Sequence, residues 1–197
     1  MARIGPAQPH GLDLIRRYAY RTAKRSYGVP TEPVTTIAHH RPSLIAYGVA
    51  GLMLERNSGA VDRQLKQLAL LRSAQLTGCE WCLDFGSMLA QQAGIGQDKL
   101  RELPRWRTSE RFTELDRVVL EYVEGMTRTP VDVPAELFDR LREHFDESQL
   151  VELTMAIAME NMFSRVNWAL GIQGEGFSEG MFCAAPDREA AKAVVAV

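Results

Sequence analysis

The chain has 197 residues, of which 46% are hydrophobic and 24% charged, and its formal net charge is -2. This length allows one domain with a sizeable core, and the small net charge gives no electrostatic reason to expect a nucleic-acid partner. The sequence shows no apolar run of membrane-spanning length and no signal-peptide segment at its N-terminus. We therefore expect a cytoplasmic protein with no membrane partner.

The N-terminal third is predicted to contain an arm, a linker and a helix. Residues 1–30 mix charge, proline and glycine around a helical pattern from Leu12 to Tyr27, which predicts an N-terminal helical arm. Pro33 to Pro42 is predicted to be a linker, and Pro42 suits the first turn of the helix that follows. That helix has one apolar face, formed by Leu44, Ile45, Tyr47, Val49, Leu52 and Met53.

A pair of helices is predicted over residues 61–95. Asp62 can cap the first helix, and Thr77 with Gly78 interrupts it. The second helix begins at Cys79 and ends near Gly94 or Gly96, either of which suits a helix C-terminus. Small and apolar residues at helical spacing form the buried side of the first helix: Leu65, Leu68, Ala69, Leu71, Ala74 and Leu76.

The C-terminal half is also predicted to be helical. A polar connection covers residues 96–114, and helices follow over 115–128, over 133–145 with Pro134 near the first turn, and over 147–171. No segment alternates apolar and polar residues for long enough to predict a strand. The fold class is therefore all-α, with about seven or eight helices in one domain over residues 31–180 and a tail over 181–197.

Two segments 85 residues apart suggest an internal duplication. Residues 62–86 align with residues 147–171, and four of the 25 positions are identical. On this alignment Cys79 corresponds to Ser164 and Cys82 to Asn167. A degenerate duplication of a helical unit, in which the first copy alone kept its thiols, explains this pattern.

Cys79 and Cys82 have the C-x-x-C spacing at a predicted helix start. Only a thiolate is nucleophilic, and a helix N-terminus lowers the pKa of a thiol, so the pair suits a dithiol that closes to a disulfide. The alternative is that both are small hydrophobic residues packed at a helix start. A zinc site would need further ligands at suitable spacing, which Cys183 and the four scattered histidines do not supply, so no metal is expected.

Residues 65–95 resemble the core of the carboxymuconolactone decarboxylase and alkylhydroperoxidase D family. The likeness covers about residues 30–100 and extends less closely to about 175. It implies an all-α alkylhydroperoxidase D-like fold and a homo-oligomer, whether dimer, trimer or hexamer. It also implies reduction of a small hydroperoxide or disulfide, no tightly bound cofactor, and electrons from an external dithiol reductant such as a dithiol carrier protein. By the same resemblance Cys82 is the peroxidatic thiol and Cys79 the resolving one.

The chain departs from the family pattern at two positions. The family has a glutamate twelve residues before the first cysteine and a histidine four after the second, where this chain has Gln67 and Gly86. Both proton carriers are therefore missing. General acid and base catalysis is commonly worth about 10²- to 10⁴-fold in rate, so a site without it is expected to be slow by that factor.

Other polar residues are candidates to assist the thiols. Ser87 can donate a hydrogen bond near the vacated space, whereas Asp84 points elsewhere on an ideal helix. The auxiliary candidates are therefore Gln67, Ser87, Asp84, His39 and His40. The two histidines could reach the site only through tertiary packing.

Three further residues have more than one interpretation. Glu160 and Asn161 lie in an apolar tract, where a polar pair needs partners, and they face either a pocket or a subunit interface. A glycine inside a helix favours close helix packing, and Gly171 at the aligned position suggests the same role as Gly86. The alternative for Gly86 is a ligand pocket in the space left by the missing imidazole.

Three functions remain open on the sequence. The first is a thiol-dependent peroxidase or disulfide oxidoreductase that uses Cys79 and Cys82. The second is a non-enzymatic redox sensor or oligomeric helical protein, which the missing glutamate and histidine favour. The third is a lactone decarboxylase-like enzyme, as in the other branch of the family, where thiols are not needed.

Overall fold

A computed structural model describes residues 2–9, 13–55 and 59–187. These residues form nine α-helices and one 3-10 turn, and none of them lies in a strand, which confirms the all-α class. The helices in chain order are α1 Leu14–Tyr27, α2 Glu32–Ile37, α3 Arg41–Glu55, α4 Arg63–Thr77, α5 Glu80–Gln92, α6 Gln97–Arg101, α7 Glu114–Thr127, α8 Ala135–Arg142 and α9 Glu147–Leu170, and the 3-10 turn is Leu103–Arg105. Within the described residues no helix has the length and apolar character needed to span a membrane.

Helix α4 lies at the centre of the molecule. It packs against α5, α7 and α9, and every residue from Leu65 to Leu76 is buried. Its buried polar side chains have partners on neighbouring elements, such as Glu124 for Arg72 and Thr127 for Ser73. The leucine and alanine spacing therefore identified the core helix correctly.

Local sequence signals set the junction between α4 and α5. The Asp62 carboxylate accepts a hydrogen bond from the backbone N–H of Leu65 at 3.0 Å, as predicted for a cap. Gly78 ends α4 in the left-handed conformation, with φ of 74°. Because glycine adopts this conformation without steric cost, the chain turns there and α5 begins two residues later.

Two segments predicted to be irregular contain short helices. Helix α2 overlaps the start of the predicted linker, with Pro33 in its first turn and Ile37 packed into the core. Helix α6 and the 3-10 turn lie within the predicted polar connection, and they bury Leu100 and Leu103 completely. A few apolar residues anchor each of these short helices, and such isolated anchors give no periodic pattern to detect.

The apolar face predicted for α3 is largely exposed. Leu44 is buried, but Ile45, Val49, Leu52 and Met53 are exposed. The helix lies at the edge of the molecule, where it contacts α1, α2 and α9 through a narrow strip.

The two segments of the predicted duplication differ in one respect. The first is broken into α4 and α5 at Gly78, whereas α9 runs without interruption from Glu147 to Leu170. Gly86 lies inside α5, but Gly171 ends α9 in the left-handed conformation, so the shared packing role predicted for them is wrong. The duplication itself stays a prediction.

The predicted C-terminal tail packs against the core over its described part. The backbone N–H of Ala184 donates to the Ser87 hydroxyl at 2.9 Å, and Asp187 forms an ion pair with buried Arg72 at 2.9 Å. The rest of the predicted tail, residues 188–197, and positions 1 and 10–12 of the predicted arm lie outside the described residues.

Candidate functional site

Cys79 and Cys82 form a disulfide at the start of α5. Their Cα atoms are 5.3 Å apart, and Cys79 is the residue immediately before the helix. The backbone N–H of Cys82 donates to Cys79 Sγ at 3.2 Å, so the sulfur caps the helix. The unpaired N–H groups of a helix start favour a thiolate there, as the spacing predicted.

Asn167 of α9 contacts both sulfurs. Its Nδ2 lies 3.5 Å from Cys82 Sγ and 3.9 Å from Cys79 Sγ, and the residue is fully buried. An amide N–H directed at sulfur stabilises a thiolate, because a hydrogen bond to a charged acceptor is stronger than one to a neutral acceptor. Asn167 is also the residue that the 85-residue offset aligns with Cys82.

An apolar cavity of about 570 Å³ opens beside the disulfide. Cys82 lines it and Cys79 does not. The wall is built from α1, α2, α3, α4, α5 and α9, and its aromatic side chains are Tyr18, Tyr27, Tyr47, Trp81, Phe85 and Phe163.

Among the described residues of the cavity wall, Glu160 is the one with a carboxyl group. Its Oε1 accepts a hydrogen bond from the Ser164 hydroxyl at 2.8 Å. Burial raises the pKa of Glu160 to about 8, and the hydrogen bond from Ser164 lowers this pKa by a smaller amount. Of the two predicted settings for this residue, a pocket or an interface, the structure shows the pocket.

Tyr47 lies near two polar side chains of α9, Asn167 and Glu160. Its hydroxyl donates to Asn167 Oδ1 at 3.4 Å, and its ring stacks edge-on against Phe163. Burial raises the pKa of Tyr47 above its ordinary value; the Asn167 hydrogen bond lowers it and the nearby Glu160 charge raises it further. The apolar pattern of α3 includes Tyr47 and gives no sign of a role at the thiols.

The two positions that depart from the family pattern meet at this cavity. Gln67 of α4 and Gly86 of α5 both line it, as expected if the helix pair folds back at Gly78. A Cβ atom on Gly86 would lie 3.3 Å from Leu71 Cδ1, so the glycine allows close packing and widens the cavity as well. Among the described residues, Gln67 has no side-chain hydrogen-bond partner that would hold its amide away from the cavity.

Asp84 anchors a loop and does not face the cavity. Its carboxylate accepts hydrogen bonds from the backbone N–H groups of residues 175–178 and from the Ser178 hydroxyl, at 2.7 to 3.0 Å. Burial raises its pKa, but these hydrogen bonds lower it more, so the pKa of Asp84 falls below its ordinary value. The loop it holds places Phe177 against Trp81 and Phe85.

The remaining auxiliary candidates lie away from the thiols. Ser87 is fully buried, and its hydroxyl accepts the backbone N–H of Ala184. His39 bonds to the carbonyl oxygen of Gly5 at 2.9 Å, and His40 to the Ser43 hydroxyl at 2.8 Å, and both are exposed outside the cavity wall. Cys183 is an exposed free thiol in the tail. Within the described ranges, no three histidine, cysteine, aspartate or glutamate side chains group as metal ligands.

An all-α fold with a C-x-x-C pair at a helix start beside an apolar cavity defines a class of helical thiol protein. Residues 46–125 match the sequence profile of the carboxymuconolactone decarboxylase family. The chain is 35% identical to the uncharacterized protein YnjA of Escherichia coli K12 over 155 residues, which are 78% of this chain and 84% of that protein. The chain therefore belongs to the carboxymuconolactone decarboxylase family.

Solved structures show the same fold. The debrominase Bmp8 has a TM-score of 0.76 at 19% identity, over 98% of this chain and 97% of that one. A cysteine-to-alanine variant of Bmp8 has been solved in complex with 2,3,4-tribromopyrrole. The alkylhydroperoxidase AhpD core of an uncharacterized peroxidase-related protein from Ralstonia eutropha has a TM-score of 0.80 at 14% identity, over 92% and 97% of the two chains. These similarities establish the alkylhydroperoxidase D-like fold.

Proposed function

We propose that this protein is a thiol-dependent peroxidase that reduces apolar hydroperoxides, with Cys82 as the attacking thiol and Cys79 as the resolving thiol. The observation that carries the proposal is the difference in access between the two sulfurs. Cys82 lines the apolar cavity, whereas Cys79 is covered by the helix start and by Asn167. Hydrogen bonding does not decide between the two sulfurs, because Cys79 Sγ accepts from the Cys82 backbone and, at 3.9 Å, from Asn167, while Cys82 Sγ accepts from Asn167 at 3.5 Å.

The reaction balances with the groups at the site. The Cys82 thiolate attacks the terminal oxygen of the hydroperoxide, the O–O bond breaks, and a sulfenic acid forms as the alkoxide leaves and is protonated. The Cys79 thiol then attacks the Cys82 sulfur, which closes the disulfide and releases water. The two thiols lose two electrons, and the peroxide becomes one alcohol and one water. A small dithiol or a dithiol carrier protein restores the thiols by disulfide exchange.

The cavity wall favours an uncharged apolar substrate. Its described lining contains no lysine, arginine or histidine to bind an anionic group. Trp81 and Phe85 stack with ring centroids 4.7 Å apart next to Cys82, and Phe163 lies on the α9 wall. Aromatic walls of this kind suit alkyl-aromatic or lipid-like hydroperoxides rather than hydrogen peroxide alone.

The test compares the two cysteine variants with cumene hydroperoxide and dithiothreitol. We expect Cys82→Ser to abolish turnover, and Cys79→Ser to keep one round of sulfenic acid formation at Cys82, detected by a sulfenic-acid probe and mass spectrometry. Cys183→Ser is the matched control and retains full turnover. A wild-type protein that oxidises reversibly but consumes no hydroperoxide is instead a redox sensor. Activity on a carboxylactone that survives loss of both cysteines would place it with the lactone enzymes.

A second candidate is reductive dehalogenation of an aromatic substrate. The aromatic cavity beside Cys82 favours it, and the debrominase Bmp8 shares the fold. The same two thiols would supply two electrons: the carbon–bromine bond becomes carbon–hydrogen, the disulfide closes, and bromide and a proton leave. Measuring bromide release from a bromopyrrole by the reduced protein, beside hydroperoxide consumption, decides between the two substrates.

A further inference from the structure

We infer that Glu160 is the acid that protonates the leaving oxygen when a substrate reacts at Cys82. The inference rests on the proposed peroxidase function. It assigns to α9 the proton transfer that the family pattern places at two positions of α4 and α5, where this chain has Gln67 and Gly86.

The carboxyl group of Glu160 is positioned for this task. Glu160, Ser164 and Asn167 lie at i, i+4 and i+7 of α9, so they share one helix face, and that face meets the disulfide through Asn167. Ser164 occupies Oε1 of Glu160, and Oε2 has no hydrogen-bond partner among the described residues. The Ser164 hydrogen bond directs the carboxyl group toward the Asn167 end of α9, and Tyr47, whose hydroxyl bonds Asn167, is close enough to Glu160 to interact with it electrostatically. Glu160 and Cys82 line the same cavity, so the leaving oxygen of a peroxide that reacts at Cys82 is placed between the sulfur and the carboxyl group.

The charges around the cavity favour a protonated carboxyl group. The titratable groups that share its wall are Tyr18 and Tyr27 of α1, Tyr47 of α3 and Cys82 of α5, and the described lining from α2 and α4 is uncharged. Helices α7 and α8 pack on the other side of α9, through Tyr122, Val123, Leu137 and Leu141. The buried Glu124 of α7 is already held by Arg72 and Arg107. No cation on the described wall holds Glu160 ionised, so burial keeps its proton in place at neutral pH.

The proton balance closes over one turnover. Glu160 gives its proton to the alkoxide as the O–O bond breaks, and the alcohol leaves. The resulting carboxylate recovers a proton from the next Cys82 thiol, which becomes the thiolate that attacks the next peroxide. This exchange is favoured because the helix start and Asn167 stabilise the Cys82 thiolate, while burial raises the pKa of the Glu160 carboxyl to about 8.

The experiment measures two rates in reduced protein from about pH 5 to 10, a range that spans both groups. The first is disulfide formation in single turnovers with cumene hydroperoxide, and the second is alkylation of Cys82 by iodoacetamide. The variants are Glu160→Gln, Ser164→Ala and the control Glu147→Gln, which makes the same change at an exposed position of the same helix.

In the wild type we expect the peroxide rate to rise as Cys82 ionises and to fall above about pH 8, while alkylation continues to rise. Glu160→Gln slows the peroxide reaction by about 10²-fold or more at neutral pH and removes the alkaline fall. It also shifts the alkylation profile to lower pH, because the neighbouring negative charge is gone. Ser164→Ala keeps the carboxyl group and moves the alkaline fall to higher pH, since the hydrogen bond that stabilises the carboxylate is lost. Glu147→Gln matches the wild type.

Three outcomes separate this inference from the proposed function. Peroxide and alkylation profiles of Glu160→Gln that superimpose on the wild type overturn the role of Glu160 and leave the peroxidase proposal intact. A wild type that consumes no hydroperoxide overturns the peroxidase proposal. In that case a shifted alkylation profile in Glu160→Gln still supports proton exchange between Glu160 and Cys82. An equal slowing in Glu160→Gln and Glu147→Gln, with both profiles unchanged in shape, also overturns the role.

Discussion

At the scale of single residues, the environment of Cys82 is set by a contact that crosses the molecule. Asn167 is 85 residues further along the chain, and its Nδ2 is the side-chain donor within 3.5 Å of Cys82 Sγ. Its Oδ1 is bound by the Tyr47 hydroxyl, which fixes the amide orientation with N–H toward sulfur. The reduced Cys82 thiolate therefore has an oriented donor in a buried setting.

Replacing Asn167 with leucine, which has a similar shape and no donor, is expected to raise the pKa of the reduced Cys82 thiol. A hydrogen bond to a charged group contributes about 1.5 to 3 kcal/mol, which corresponds to about one to two pKa units. The pH dependence of Cys82 alkylation, followed by mass spectrometry, measures the shift. Alkylation of the exposed Cys183 in the same samples is the internal control. An unchanged Cys82 profile would show that Asn167 contributes packing alone.

At the scale of elements, Asp84 ties α5 to the loop after α9. One carboxylate accepts five hydrogen bonds from residues 175–178, so the loop is ordered by a single side chain of the helix that carries the thiols. The loop in turn packs Phe177 on Trp81 and directs Glu175 to the indole N–H of Trp81 at 2.7 Å. The aromatic wall beside Cys82 is thereby supported from outside.

Asp84→Asn is expected to lower the free energy of unfolding by about 2 to 4 kcal/mol, because the amide nitrogen cannot accept and leaves several partly buried N–H groups without an acceptor. Hydrogen exchange of residues 175–178 should accelerate together with this loss. The control is Asp98→Asn at an exposed position of α6. The ion pairs of Asp98 with Arg101 and Arg111 are solvent-screened, so this change should alter stability by less than about 0.5 kcal/mol.

The Asp84 carboxylate also makes the stability of the folded protein depend on pH. Its pKa is lower in the folded chain than in the unfolded chain, so its contribution is fully present above about pH 4, the unfolded value. The contribution is lost as the pH falls further, through the folded pKa. Urea unfolding between about pH 2 and 5 should show this acid loss in the wild type and a smaller one in Asp84→Asn. Equal acid losses in both proteins would contradict the assignment.

At the scale of the whole molecule, the mouth of the cavity is surrounded by exposed apolar side chains. Leu14 and Tyr18 of α1 are 72% and 74% exposed, and Val49 and Leu52 of α3 are 53% and 57% exposed. Contiguous apolar surface of this kind marks an interaction site. We expect a second copy of the chain to cover it, in accord with the homo-oligomer that the family resemblance implies.

Sedimentation measures this association. The wild type should sediment well above the 22.1 kDa of one chain, and Val49→Glu should shift it to the monomer, because the new charge would be buried without a partner. Val131→Glu places the same change on a valine that is 62% exposed in the connection between α7 and α8, and it should leave the mass unaltered. A monomeric wild type would contradict the prediction.

The sequence by itself determined the features that depend on neighbouring residues. The Asp62 cap, the left-handed Gly78 and the C-x-x-C spacing together fix a dithiol at the start of α5, because caps and turns are decided within a few residues. The long periodic helices were found for the same reason. The short helices α2 and α6 were missed, since a few buried side chains stabilise them and no periodic pattern marks them.

Tertiary structure alone decided what surrounds the thiols. Helical periodicity shows that α9 has a polar position at Glu160 but does not show which neighbour that position faces. The packing of α9 on α4 and α5 brings Glu160, Asn167 and Cys82 to one cavity, and that of α3 adds Tyr47. The family resemblance indicates two lost proton carriers, and Glu160, the replacement that we infer, lies on a helix nearly eighty residues away. Contacts over such distances depend on how whole helices pack, and no local pattern encodes that packing.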